Sequence, residues 1–327
     1  MRKYTLLLSF LALFLNISFV MAGNTIASTI VMVPPENFNF NAETAKSNAY
    51  QHSADKDTNK KAMHEFNGMV TTLRKNGVHV IVLPQHQRLP DAVFPNNWFS
   101  THADNKKNTV ILYPMLTPNR QAEVNRDGLI KALKDAHLRI DRVIDLRNKK
   151  GDILEGTGSM IMDRKNHLIY ASLSARTNQL MVKKIAELLD YKPVVFNSVD
   201  ANNQAIYHTN VMMGLADKYA VICLDCISNG AERNEVITNL KKTGKAIIAI
   251  NQAQVSHLCG NVIELSNKKH QSLLIMSKQA YEHFTLSQKK EIKQFSRILP
   301  MDLKTIESVG GGSARCMIAE VFFSGNA

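Results

Sequence analysis

Hydrophobic positions along this chain switch repeatedly between a helical period and short continuous runs. Helical spacing with start or stop signals occurs five times: NKKAMHEFNGMVTTLRKNG from about Asn59, RQAEVNRDGLIKALKDA from Arg120, NQLMVKKIAELL from Asn178, AERNEVITNLKKTG from Ala231 and LSQKKEIKQFS from Leu286. Gly77 and Gly244 stop the first and fourth of these. Between them lie β-rich runs: VHVIVLP, NTVILYP, GSMIMD, HLIYASL, YAVICL, AIIAIN, NVIELS, SLLIMS and, near the end, CMIAEVFF. A helix with two or three strands recurring every ~55–60 residues predicts an α/β fold built from repeated modules around an axis. Any α/β chain alternates helices and strands, so spacing alone leaves an ordinary layered fold equally open.

With 327 residues, 45% of them hydrophobic, the chain has enough apolar surface for a substantial core, and no Pro/Gly/Ser-rich linker divides it. The opening MRKYTLLLSFLALFLNISFVMAG has a basic start, an apolar run and a small-residue exit, and it predicts a signal peptide over residues 1–22 cleaved after Ala22. An uncleaved anchor is the alternative, disfavoured because Asn16 and Ser18 interrupt the apolar run. The expected mature chain is then a single domain, 23–327, exported to the periplasm or outside, with no stable membrane association after cleavage. A cytoplasmic location is the competing expectation, because a reactive thiol is at risk in an oxidising compartment. The net charge of +12 is dispersed in lysine pairs such as Lys60-Lys61 and Lys289-Lys290, and there is one tryptophan. That pattern lacks the clustered cations and interleaved aromatics of a nucleic-acid surface.

Four cysteines are present: Cys223, Cys226, Cys259 and Cys316. The C-x-x-C at Cys223 and Cys226 falls in AVICLDCISN, which reads as a strand whose positions three apart point to opposite faces. No second ligand pair completes a metal site, so neither metal nor cofactor is expected, and Cys223 and Cys259 are read as core residues. Cys316 differs. It follows Gly310, Gly311 and Gly312 in GGGSARC, where glycines permit a tight turn and close approach, and it is placed at the first residue of a buried strand. That is a seat for a nucleophile.

Four other segments join polar residues to turn chemistry. PDAVFPNNWFSTH holds Asp91, Asn96 and Asn97; GDILEGTGSMIMD holds Glu155 between apolar residues and glycines; ASLSARTN ends a strand with Arg176; AIYHTNVMM sets His208 and Asn210 two apart, on one face if extended. A thiol is only a few per cent ionised at neutral pH, so an imidazole is its expected activator, and a carboxylate can orient that imidazole.

The ordered set FPNNW, LEGTGS, SARTN, YHTN and GGGSARC resembles the guanidino-group-modifying superfamily of arginine deiminases, dimethylarginine dimethylaminohydrolases and amidinotransferases, and within it the citrulline-utilisation hydrolases. The resemblance runs over essentially the whole chain after residue 30. It implies an α/β propeller with five-fold pseudosymmetry, pentein-like. It also implies roles: Cys316 as nucleophile, His208 as general acid/base, Glu155 as its carboxylate, Arg176 on a substrate α-carboxylate and Asp91 near the substrate's amino end.

Two departures carry the substrate expectation. Arginine-processing relatives surround the guanidinium with acids, whereas this chain has Asn97 and Asn210. A guanidinium has only donors and a permanent charge; a ureido group is neutral with donors and an acceptor, and an amide side chain matches it. The expected activity is therefore hydrolysis of a ureido amino acid, citrulline to ornithine, ammonia and carbon dioxide, with Asn97 and Asn210 on the ureido group. A guanidine hydrolase of the deiminase or dimethylaminohydrolase kind, and a catalytically silent amino-acid-binding protein, are the alternatives.

Overall fold

Five three-stranded sheets share one connectivity, in which the middle strand pairs antiparallel with the first and parallel with the last. In chain order of their middle strands, these are Ala319–Val321 with Thr29–Met32 and His79–Val82; Phe99–Asp104 with Lys107–Leu112 and Arg142–Asp145; and Ile161–Asp163 with Leu168–Leu173 and Lys192–Asn197. Then follow Met213–Leu215 with Tyr219–Ile222 and Ala246–Ala249, and Ile263–Ser266 with Ser272–Ser277 and Arg297–Met301. This is a computed structural model, and it describes residues 25–323 apart from 86, 105–106 and 148–150. The expected signal peptide lies outside the described residues.

The parallel pair in each sheet needs a crossover, and a helix supplies it. Thr58–Lys75, Arg126–Asp135, Gln179–Leu189 and Gly230–Lys242 fill that position in the first four sheets, and Lys278–His283 with Leu286–Ile292 in the fifth. Their sequences explain both ends and faces. Asn178, Asn229 and Thr285 accept hydrogen bonds from first-turn amides, and Met181, Val182, Ile185 and Ala186 form one buried stripe. The second expected helix is split: Pro118–Ala122 forms a separate short piece before Arg126, because the Asn125 side chain caps the later helix through Gly128 N. That break turns Arg120 inward.

Hydrogen bonds join each module to the next. Thr101 Oγ1 donates to Glu320 O, Thr157 Oγ1 to Asn96 O, Thr209 Oγ1 to Ser159 O and Asn261 Nδ2 to Asn210 O. The remaining junction is Arg315 N donating to Asn261 Oδ1. The five sheets thus fit a five-fold repeat, and apolar clusters fill the space between sheets and their crossover helices. One positional rule emerges: just before its first strand, every module places a short turn carrying polar side chains. These turns hold Asn97, Glu155, His208 with Asn210, Asn261 and Cys316.

Candidate active site

Cys316 lies in the turn Ser313–Cys316, its N–H donating to Ser313 O at 2.9 Å, three residues before the strand rather than at its first residue. The glycine run has another job than starting a strand. It ends the helix Lys304–Gly310 with Gly311 in the left-handed region (φ 62°), and the Gly311 carbonyl receives the Tyr207 hydroxyl at 2.7 Å. The Phe94 ring packs directly on Gly310 and Gly312, where a Cβ would collide with it. Two amides then point at the sulfur: Asn261 Nδ2 at 3.2 Å and Asn210 Nδ2 at 3.4 Å from Sγ.

His208 and Asn210 do not share a strand. His208 is the extended residue capping the helical turn Thr209–Met212, and Asn210 is the second residue within it. The turn is pinned by Thr209, whose hydroxyl donates to Ser159 O at 2.6 Å and accepts Ser172 N at 2.8 Å. His208 Nε2 meets Glu155 Oε2 at 2.8 Å, while Leu116 N donates to Glu155 Oε1 at 3.0 Å. Burial alone would push the Glu155 carboxyl up; the Arg176 cation, the His208 hydrogen bond and Arg120 outweigh it and hold the group well below the ordinary carboxylate range. Burial drives His208 the other way, down to about 4, against the opposing pull of Glu155. The pair is therefore carboxylate and neutral imidazole, with Nε2–H donating to Glu155 and the Nδ1 lone pair left as base. A Cβ on Gly158 would strike both His208 Nδ1 and Asn97 Nδ2, so glycine here leaves room for both groups.

Arg176 is fully buried and largely committed to the protein. Its Nη2 donates to Thr44 O at 3.0 Å and Ser47 Oγ at 2.8 Å, Nε reaches Ser47 Oγ at 3.1 Å, and Nη1 meets Glu155 Oε2 at 3.5 Å. Tyr207 lies beneath the guanidinium, 4.8 Å from ring centroid to Cζ. Asp91 shares the same loop: Asn41 Nδ2 at 2.6 Å and the Thr44 hydroxyl at 2.9 Å both donate to its Oδ2. Burial raises the Asp91 carboxyl against the neighbouring cations Arg120 and Arg176. The loop 41–52 thereby covers the site, and its far end is held by Asn48 and Gln51 on Gly310 O and by His52 N on Ser308 O.

Hydrogen bonds link four of the seven residues expected from the sequence, Asp91 through Thr44 to Arg176, and Arg176 through Glu155 to His208; Cys316 and Asn210 meet at the sulfur, and Asn97 is held by Arg120. Three further participants were not foreseen. Asn261 bridges Asn210 O, Arg315 N and the sulfur; it stands in the fifth module at the position that the other modules fill with site residues, and that recurrence was the available signal. Arg120, buried, donates from Nη2 to Phe94 O and to Asn97 Oδ1, each at 3.1 Å, with Glu123 Oε2 3.0 Å from its Nε. Nothing in its polar helical run distinguished it from a surface arginine. The loop 41–52 has no regular period and gave no signal of its role.

Against this geometry, a family model described as N,N dimethylarginine dimethylhydrolase, eukaryotic, matches residues 34–323. Among solved structures the chain is similar to the N-terminal domain of ArgZ, an arginine dihydrolase from the ornithine-ammonia cycle in cyanobacteria, bound to substrate: 16% identity, TM-score 0.71, covering 90% of this chain and 98% of that one. AgrE, in a ternary complex with ornithine and NAD+, is 18% identical with a TM-score of 0.68, over 91% of this chain but 40% of that one. A dimethylarginine dimethylaminohydrolase adduct with S-methyl-L-thiocitrulline is 14% identical with a TM-score of 0.62, over 90% of this chain and 100% of that one. No curated protein matches. At such identities these structures share the fold.

Proposed function

We propose, from the premise that the chain belongs to the N,N-dimethylarginine dimethylhydrolase family within the guanidino-group-modifying enzymes, that its substrate is a ureido amino acid, citrulline first. It is a hydrolase of guanidino-type carbon–nitrogen bonds by family. We read its five modules as blades of a single ring with the site on the axis.

One observation carries the substrate assignment. Asn97 Nδ2 and Asn210 Oδ1 are buried without a hydrogen-bond partner among the described residues, one a donor and one an acceptor. Neighbours fix both amide orientations: Arg120 donates to Asn97 Oδ1, and Asn210 Nδ2 points at the sulfur. A buried amide atom left unpaired costs ~1–3 kcal/mol, so a ligand is expected to supply the missing partners. A ureido group has a carbonyl for Asn97 and an N–H for Asn210, whereas a guanidinium has nothing to offer Asn97. Arg120 supports Asn97 from behind, with Glu123 Oε2 beside its Nε. Glu155 has little to offer a guanidinium, because it is spent on His208, Arg176 and Leu116 N. We assign Asp91 Oδ1, also unpartnered among the described residues, to the substrate ammonium, and Arg176, whose Nη1 also reaches Glu155 Oε2, to its carboxylate.

In the resulting sequence His208 Nδ1 takes the Cys316 proton, and Sγ adds to the ureido carbon. The tetrahedral adduct expels one amine, which leaves with that proton, and a thiocarbamate remains on Cys316. His208 then deprotonates water, which adds to the same carbon; the C–S bond breaks, the thiol is restored, and the carbamic acid falls to carbon dioxide and amine. One water is consumed and ornithine, ammonia and carbon dioxide are formed. Hydrolysis of a guanidine is the second reading, favoured by the names of the matching family and of its solved relatives.

Substituting both amides separates the two. Asn97→Asp with Asn210→Asp lowers kcat/KM for citrulline by ~10²-fold or more and admits arginine in measurable amount, since a charge-assisted hydrogen bond is worth ~1.5–3 kcal/mol. Equal rates for the wild type and the double variant on both substrates would remove these residues from the ureido site.

A further inference from the structure

The C-x-x-C segment does not behave as the strand that its sequence suggests. The strand ends at Ile222, and Leu224–Cys226 winds into a single 3-10 turn. The turn brings the two thiols to the same side, with Cys226 Sγ 3.0 Å from Cys223 Sγ. That is about 1 Å beyond the bonding distance of a disulfide. Among the described residues no cluster of three or more His, Cys, Asp or Glu could hold a metal ion, so the pair does not form part of such a site. Neither thiol takes part in the chemistry proposed at Cys316.

We propose that Cys223 and Cys226 form a redox-active dithiol, a second reactive site that closes to an intramolecular disulfide by exchange with a low-molecular-weight disulfide. The balance is that of two successive exchanges. The thiolate of one cysteine attacks the external disulfide, forming a mixed disulfide and releasing one thiol; the second cysteine attacks the protein sulfur of that bond, closing the ring and releasing the other thiol. The two protein thiols lose two electrons and two protons, and the external disulfide gains them.

The surroundings fit this order of events. Cys226 S–H donates to Cys223, and this hydrogen bond, the largest influence, holds the Cys223 thiol below its ordinary range, which makes Cys223 the attacking sulfur and Cys226 the resolving one. Both sulfurs are buried in the apolar cluster that includes Ile222, Ile227 and Val236. The Cys226 carbonyl accepts from Val199 N, at the head of a loop whose residues 201–205 are exposed, and the proposed exchange requires the pair to open locally on that side. On the inner side Cys223 N donates to Met212 O at 3.0 Å, and Met212 closes the turn that carries Asn210. The dithiol is therefore one hydrogen bond away from the turn that helps hold the nucleophile.

The test needs no variant to begin with. The segment Tyr219–Arg233 follows Lys218 and holds no other lysine or arginine, so trypsin releases both cysteines on one peptide, while Cys316 follows Arg315 and leaves on another. The purified full chain is equilibrated across a series of reduced and oxidised glutathione mixtures, acid-quenched, alkylated and digested. The expected result is conversion of the 219–233 peptide from doubly alkylated to unalkylated and lighter by two hydrogen atoms, reversed by excess reduced glutathione, with Cys223→Ser leaving Cys226 without an internal disulfide. A peptide that stays doubly alkylated at every ratio, while Cys316 on its own peptide takes up glutathione, overturns the proposal. So does a mixed disulfide that persists on one cysteine and never closes.

Discussion

Cys316→Ser is expected to abolish citrulline turnover, by on the order of 10⁴–10⁶ in kcat, while leaving the fold intact. The size follows from the role: with no thiolate there is no thiocarbamate, and neither the amides nor His208 can replace a missing bond-forming atom. The sulfur also holds two amides, Asn210 and Asn261, and a serine hydroxyl keeps an acceptor for both, so their arrangement should survive. Wild-type enzyme quenched in acid during turnover should carry added mass on the peptide beginning at Cys316, and the serine variant none. The mass also reads the order of bond breaking, because a bare carbamoyl group means that ornithine left first and an ornithine-bearing thiocarbamate means that ammonia did. Turnover by Cys316→Ser within a few-fold of wild type would exclude the covalent route.

Glu155→Gln carries the second large effect, a loss of about 10³–10⁴ in kcat. Glu155 fixes His208 as the Nε2–H tautomer that keeps the Nδ1 lone pair free, and a glutamine nitrogen at Oε2 would donate where an acceptor is needed. The pH profile gives a readout that misfolding would not mimic. With the His208 imidazole held down to about 4, first by burial, the acidic limb of wild-type kcat/KM belongs well below the ordinary histidine value near 6.5. Glu155 favours the protonated imidazole, so its removal moves that limb to still lower pH. Because the two groups titrate as a pair, the limb is a property of both. A limb near 6.5 in both proteins would contradict the buried neutral imidazole.

What the sequence disclosed follows from which signals have a period. Long amphipathic helices and apolar strands repeat over enough residues to be read, so the alternation of helices and strands was legible from them, while the five-fold arrangement followed only from the family resemblance. The site itself was read from residue chemistry and the ordered motifs, and its turns were not legible. Thr209–Met212 and Gly156–Ser159 are four residues each, too short to show helical spacing, so His208 and Asn210 were assigned to a strand. Cys223 and Cys226 were misplaced for the same reason: a continuous apolar run gave no sign that the strand stops at Ile222. Arg120 escaped because its burial depends on a helix break created by Asn125, several residues away. Asn261 lacked a distinctive motif, and only the superposition of five modules gives its position meaning.

The pairing of a free donor on Asn97 with a free acceptor on Asn210 has one direct consequence. In a single reaction holding equal concentrations of citrulline and arginine, the ratio of the initial consumption rates equals the ratio of kcat/KM values, independent of enzyme concentration. Two lost charge-assisted hydrogen bonds predict a preference for citrulline of ~10²–10⁴. Preferential consumption of arginine, with citrulline left untouched or accumulating as product, would contradict the ureido assignment and return the site to guanidine chemistry.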